Sequence, residues 1–103
     1  MVGPESFSLD MTELAEVLDR YPELKAQTEI VSLLNLLAVS KQGLRQILEQ
    51  YGVTVPEEIK ERISRGVLPG HPAYEDYLDA VAHSLEVKAV GEALRQKIHE
   101  FLS

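Results

Sequence analysis

The sequence predicts an all-α fold, a compact bundle of four or five helices with a long C-terminal helix. Apolar residues recur at helical spacing along most of the 103 residues, and no segment alternates polar and apolar residues as a strand does. The length suffices for one domain and one modest core. We therefore expect a single helical domain over residues 10–103, preceded by a flexible N-terminus of residues 1–9.

The first two helices are predicted from a capping box and a proline. Asp10 stands three residues before Glu13, a spacing that satisfies free N–H groups at the start of a helix. Apolar residues continue this helix to Tyr21. Pro22 cannot continue it but fits the first turn of the next helix, which we expect to run to about Val39. Because this second helix is apolar on more than one face, we expect the other helices to cover it.

The third and fourth helices are predicted from further caps. Ser40 is expected to cap the third helix, and Gly52 supplies the left-handed residue that ends it. Thr54 and Glu57 then form a second capping box at the start of the fourth helix, with Pro56 in its first turn. We expect this helix to run to about Arg65.

The C-terminal part follows the clearest break in the chain, residues 66–72, which hold two glycines and two prolines. One apolar stripe begins at Tyr74, and a second stripe, shifted in phase, begins at Val87. Residues 73–102 are therefore either one bent helix or two helices that meet around residues 84–91.

Composition limits the classes of function. Seventeen acidic against ten basic side chains give a net charge of −7, so the long-range field repels nucleic acids and anionic membranes. The chain has no cysteine, which excludes disulfides, thiolate metal sites and cysteine nucleophiles. The start of the chain lacks the features of a signal peptide, and the most apolar run, residues 30–39, is about half as long as a bilayer core requires. We expect a cytoplasmic protein that does not associate with membranes.

The centre of the chain contains a pattern of two helices joined by a short turn. Residues 33–37 form the first helix of this pattern, residues 38–40 the turn, and residues 41–48 the second helix. Over residues 30–49 the pattern resembles a helix-turn-helix of the lac-repressor type. The resemblance implies a DNA-binding transcriptional regulator whose second helix presents polar side chains to base edges and phosphates in the major groove. The side chains in question are Ser40, Lys41, Gln42, Arg45 and Gln46.

A second pattern covers about half of the chain, from about residue 48 to residue 102. Its parts, in order, are the helix end Tyr51-Gly52, a helix that opens at Thr54, the link Gly66-Val67-Leu68-Pro69, and the segment Tyr74-Glu75-Asp76-Tyr77. This order resembles small acidic helical proteins that accompany toxins in toxin–antitoxin pairs. The resemblance implies that an acidic helical surface covers a basic toxin of the RNase or nucleotidyltransferase type.

The long C-terminal helix carries the residues that we expect to contact such a partner. Tyr74 and Tyr77 are suitable as rigid aromatic anchors of an interface, although they can equally pack this helix on the core. The stripe is longer than a small core can cover, which favours a homo-oligomer or a hetero-complex. The expected partner-binding residues are Tyr74, Tyr77, Leu78, Val81 and Leu85.

Other chemistry is less supported by the sequence. Asp79, His83 and Glu86 share one helix face and are suitable ligands for zinc or iron, but an acidic face with a histidine is common at this charge density. We therefore expect no metal site. The chain has no glycine-rich phosphate loop and no nucleophile elbow, and no carboxylate stands in an apolar setting. We expect neither enzymatic activity nor a cofactor.

These observations predict a non-enzymatic protein-interaction module that binds a basic partner protein, with an antitoxin-like role as its concrete form. The alternative is the helix-turn-helix DNA-binding regulator, and the two roles are compatible in one protein. They differ in their response to salt, because phosphate contacts weaken steeply as the salt concentration rises.

Overall fold

A computed structural model describes residues 10–103, which form four helices: α1 (Met11–Arg20), α2 (Pro22–Tyr51), α3 (Pro56–Ser64) and α4 (Gly70–Leu102). Helices make up 87% of the described residues, and these residues contain no strand. The all-α fold is thus confirmed. The flexibility expected for residues 1–9 lies outside the described residues.

Several predicted helix ends are confirmed. The Asp10 side chain accepts a hydrogen bond from the Glu13 backbone N–H at 2.7 Å, as a capping box requires. Gly52 ends α2 with a φ angle of 64°. Gly66 lies in the turn after α3 and has a φ angle of 75°. These angles lie in the left-handed region that glycine adopts without strain.

The capping box expected at the start of α3 is wrong in its details. The residue that precedes α3 is Val55, and its side chain makes no capping hydrogen bond. Thr54 instead bonds through both its backbone N–H and its hydroxyl to Glu58, four residues later, rather than to Glu57. The helix itself begins at the expected place, because Pro56 fits its first turn.

The prediction of a turn at residues 38–40 is wrong, because α2 continues through these residues as one helix of 30 residues. Ser40 therefore caps no helix. Its side chain is 1% exposed, and its hydroxyl donates a hydrogen bond of 2.5 Å to Glu86 of α4. A hydroxyl with a partner in a distant helix has no need to bond the backbone of its own helix.

The structure also decides the question left open for the C-terminal part. Residues Gly70–Leu102 form one helix, which passes through Gly91 without a break. Only His71, with φ −114° and ψ 131°, departs from helical geometry, so the regular helix begins just after it.

Helices α2 and α4 form a long antiparallel hairpin. Three contacts join them in sequence: Tyr51 with Asp76 near the closed end, Ser40 with Glu86 in the middle, and Glu29 with Lys97 near the open end. Successive contacts are separated by 11 residues along α2 and by 10 or 11 residues along α4, in opposite chain directions. This equal spacing is the register of two straight antiparallel helices.

The best-packed region is the corner where α3 lies between the end of α2 and the start of α4. Ile59 of α3 is fully buried there, together with Val53 and Ala73. Arg62 of α3 also donates a hydrogen bond of 2.7 Å to the Tyr51 carbonyl, which satisfies a free acceptor at the end of α2. The side chains that pack around this cluster are Ile47, Leu48, Tyr51, Ile63, Leu68 and Tyr77.

The prediction of a compact bundle is wrong. The radius of gyration is 20.0 Å, against roughly 13 Å for a compact domain of about 100 residues. The molecule measures 63 × 41 × 18 Å. The longest dimension is more than three times the shortest, which is the shape of an extended molecule and not of a compact bundle. Other helices therefore do not cover α2 as expected, and Val31 and Val39 remain 55% and 67% exposed.

Candidate interaction surface

The outer face of α4 is the side of this helix turned away from α2. The α4 residues buried in the chain are Ala73, Ala80, Val90 and Leu94. At about 3.6 residues per turn, Tyr74, Leu78 and Leu85 lie on the opposite side, and they are 48%, 48% and 63% exposed. The other two expected partner-binding residues, Tyr77 and Val81, are half-buried. We call Tyr74, Leu78 and Leu85 the apolar stripe of α4.

The two tyrosines at the start of α4 have different surroundings. Their ring centroids are 6.0 Å apart, and the ring planes are inclined by 35°. Tyr77 packs against the corner cluster, and the Lys60 ammonium of α3 lies 5.9 Å from its ring centroid, within the range of a cation–π interaction. Tyr77 thus fixes α4 to α3, whereas Tyr74 leaves about half of its surface free.

Three carboxylates lie beside the tyrosines, and two of them have partners in the chain. Asp76 accepts a hydrogen bond from the Tyr51 hydroxyl, and this bond, with partial burial, raises the pKa of Tyr51 to about 12. The hydrogen bond from His71, at 3.2 Å, lowers the pKa of Glu75. Within residues 10–103, Asp79 is exposed and has no hydrogen-bond or ion-pair partner. Of these three carboxylates, Asp79 is therefore the one that can pair with a partner without losing a contact within residues 10–103.

The five side chains expected to contact DNA do not lie on a separate reading helix. Ser40 is buried against α4. The other four are exposed on the continuous helix α2, where Lys41 and Arg45 line one groove and Gln42 and Gln46 another. The structure thus lacks the turn that would hold a scaffold helix against a reading helix, and the helix-turn-helix resemblance is wrong at this point.

Two of the three residues weighed as metal ligands make other contacts, and the third is exposed. The His83 ring packs against Gly43 of α2, and its Nδ1 atom is buried without a hydrogen-bond partner. Glu86 accepts the hydrogen bond from Ser40, while Asp79 points to solvent. Among the described residues, no group of three histidine, aspartate or glutamate side chains lies close enough to hold a metal ion.

A second apolar surface, which the sequence predicts to be buried, is exposed in the structure. It lies on α2, where residues 30–40 contain no charged side chain. The sequence gives no signal of this exposure, because an apolar run ordinarily indicates burial. The grooves along the hairpin are shallow and open to solvent, and no helix in the described part of the chain is both long and apolar enough to cross a bilayer.

The fold and the surface define a helical-hairpin protein with exposed apolar faces. Residues 11–100 match the sequence model of the family described as the Uncharacterized protein MJ0235 family. Since this match covers most of the chain, the protein belongs to that family. No curated protein and no solved structure matches the chain.

Proposed function

We propose that this chain is a non-enzymatic interaction module that binds a basic partner protein through the apolar stripe of α4, as an antitoxin binds its toxin. The observation that carries this proposal is the exposure of Tyr74, Leu78 and Leu85 on one side of a helix. Large apolar residues four and seven positions apart are the pattern with which a helix docks into an apolar groove of another protein.

The charge of the chain favours a basic partner. Its net charge is −7, and the exposed carboxylates Asp79 and Glu92 lie on the same helix as the apolar stripe. Acidic groups around an apolar centre increase the rate of association with a positively charged surface and disfavour acidic competitors. The hydroxyl of Tyr74 adds a polar group at the end of the stripe.

Charge substitutions in the stripe test the proposal. The double variant Leu78→Glu/Leu85→Glu places two carboxylates in the proposed interface. We expect it to weaken partner binding by at least about 30-fold, because a desolvated charge without a counterion replaces an apolar contact. Gln96→Glu, an exposed change on the same helix, adds a charge outside the stripe and should leave binding within about threefold. The affinity is measured by calorimetry on the purified partner, isolated by its association with the tagged wild-type chain.

The antitoxin-like role has its own readout. A partner that arrests growth when expressed alone should cease to do so when it is coexpressed with the wild type or Gln96→Glu, but not with the double variant. A basic partner that binds all three proteins equally would contradict the assignment to α4. Recovery of DNA that is released as salt rises, and that is lost in Lys41→Ala/Arg45→Ala, would instead support the regulator.

A further inference from the structure

Helix α2 has a three-turn section, residues 30–40, that is both uncharged and exposed. We call it the uncharged section. Four large aliphatic side chains within it are 42% to 67% exposed. They are Val31, Leu34, Leu36 and Val39. Interface centres in proteins are depleted of charged residues, whereas exposed helix surfaces in water usually carry them.

Within residues 10–103, no other helix covers this section. Its contact with α4 uses another side of α2, where Leu33 and Leu37 are half-buried and Ser40 is buried. Helix α3 packs at the closed end of the hairpin, and α1 packs beside the first turns of α2, near Leu24. The four aliphatic side chains therefore lie between the part of α2 that contacts α1 and the part that contacts α3.

The surface area and the shape of the molecule both leave room for another layer of helices. The chain exposes 7717 Å², whereas a compact monomer of its 11.5 kDa exposes roughly 5,800 Å². The excess is larger than the ~800 Å² that each partner buries in a standard interface. The molecule is also extended, with dimensions of 63 × 41 × 18 Å, whereas helical domains generally pack their helices in layers around one core.

We propose that a second copy of this chain packs antiparallel on the uncharged section, forming a two-fold symmetric dimer with Asn35 close to the axis. A two-fold interface on a single helix segment places the axis at the middle of that segment, and residue 35 is the middle of residues 30–40. An asparagine amide both donates and accepts hydrogen bonds, so Asn35 can pair with its own copy. Asparagine at such a position also fixes the register of paired helices.

The charges that flank the section favour the antiparallel direction. Residues 11–29 hold five acidic and two basic side chains, whereas residues 41–49 hold two basic and one acidic. An antiparallel pair sets the acidic flank of one copy against the basic flank of the other, while a parallel pair sets like charges together. Because residues 30–40 hold no charged side chain, the centre of the contact sets no like charges against each other.

Charge substitution at the two most exposed positions tests the dimer. We expect wild-type protein to sediment as a dimer at about 50 μM, and Val39→Glu and Val31→Glu each to raise the dissociation constant at least about 100-fold. Gln50→Glu adds the same charge to an exposed position of α2 outside the section, so it should remain dimeric. Because both valines are exposed, circular dichroism should show unchanged helix content in every variant.

A cross-linking experiment tests the position of the axis. The chain has no cysteine, so a single introduced thiol reports on its own neighbourhood. Asn35→Cys should form an interchain disulfide under mild oxidation, because only a residue near the axis meets its own copy within about 7 Å. Gln50→Cys should not.

A monomeric wild type at about 50 μM, or a dimer that persists in both valine variants, would overturn the proposal. Cross-linking at Gln50→Cys rather than Asn35→Cys would overturn the antiparallel arrangement. These measurements use the purified chain without a partner, so their outcome is independent of the proposed function at α4.

Discussion

Gly43 of α2 lies directly against the His83 ring of α4, and this contact leaves no room for a side chain at position 43. A Cβ atom built on Gly43 would lie 2.7 Å from Nε2 and 2.8 Å from Cε1 of His83. Glycine within a helix costs up to about 1 kcal/mol relative to alanine, so its presence here needs a reason. The reason is the imidazole, which occupies the space that a side chain would fill.

The two glycines within the long helices should respond to alanine in opposite directions. Gly43→Ala forces the half-buried His83 ring to move, and we expect a loss of about 1–2 kcal/mol in the free energy of unfolding despite the better helix propensity. Gly91→Ala meets nothing within 4 Å and should add about 0.5–1 kcal/mol. Urea unfolding of the two variants measures both changes.

A second substitution shows whether the imidazole is the cause. In His83→Ala, the space beside Gly43 is free, so adding Gly43→Ala should no longer destabilise and should raise stability through helix propensity. Equal losses from Gly43→Ala with and without the His83 side chain would show that the ring is not what opposes the methyl group.

Tyr51 joins two helices, because its hydroxyl at the end of α2 donates to Asp76 near the start of α4. A hydrogen bond to a charged acceptor is worth about 1.5–3 kcal/mol, and the half-exposed position reduces this figure. We expect Tyr51→Phe to lower the free energy of unfolding by about 1 kcal/mol at pH 7. Denaturant unfolding of the two proteins gives the difference.

The same bond predicts a dependence on alkaline pH. The pKa of Tyr51 is 10.0 when unfolded and about 12 in the fold, so its contribution to stability is complete below pH 10 and is lost as the pH rises toward 12. The difference in stability between wild type and Tyr51→Phe should therefore shrink across this window. The absorbance of tyrosinate should show a late titration step from Tyr51, and this step should vanish in the variant. A difference that stays constant to pH 12 would contradict the assigned bond.

At the scale of elements, local signals in the sequence predict helix ends better than helix continuity. The cap at Asp10, the proline at the start of α3 and the left-handed Gly52 depend on neighbours in the chain, and all three are confirmed. In the sequence, Ser40 has the residue type of a helix cap. Its actual partner, Glu86, lies 46 residues away, so the residues around Ser40 do not indicate this contact. The half-buried positions of α2 keep their spacing on both sides of Ser40, and this continuity was the available sign of one helix.

The part of the candidate site that depends on helical spacing was predictable, and the part that depends on tertiary packing was not. The five expected partner-binding residues follow from spacing alone, and the structure places three of them, the apolar stripe of α4, at the surface. Exposure of the uncharged section was not predictable, because an apolar run is ordinarily a sign of burial. Whether other helices reach such a run depends on the tertiary arrangement, which spacing does not specify.

At the scale of the whole molecule, the separation of the two apolar surfaces allows them to act together. The apolar stripe faces away from α2, and the uncharged section lies on α2 itself. A dimer formed through α2 would thus present two copies of the α4 stripe to solvent. Two linked sites of this kind bind a dimeric partner more tightly than one site does, provided that the spacing of the sites matches.

Small-angle scattering tests the open hairpin itself. For Val39→Glu in dilute solution, where the dimer should be absent, we expect a radius of gyration of at least 20.0 Å. A compact bundle of the same length would give roughly 13 Å, a difference well beyond the error of such measurements. The extended value requires that α1 and the hairpin do not fold back on each other when the partner copy is removed. A compact value would show that the exposed side chains of α2 are buried by other parts of the same chain. That result would contradict the proposal that a second copy covers them.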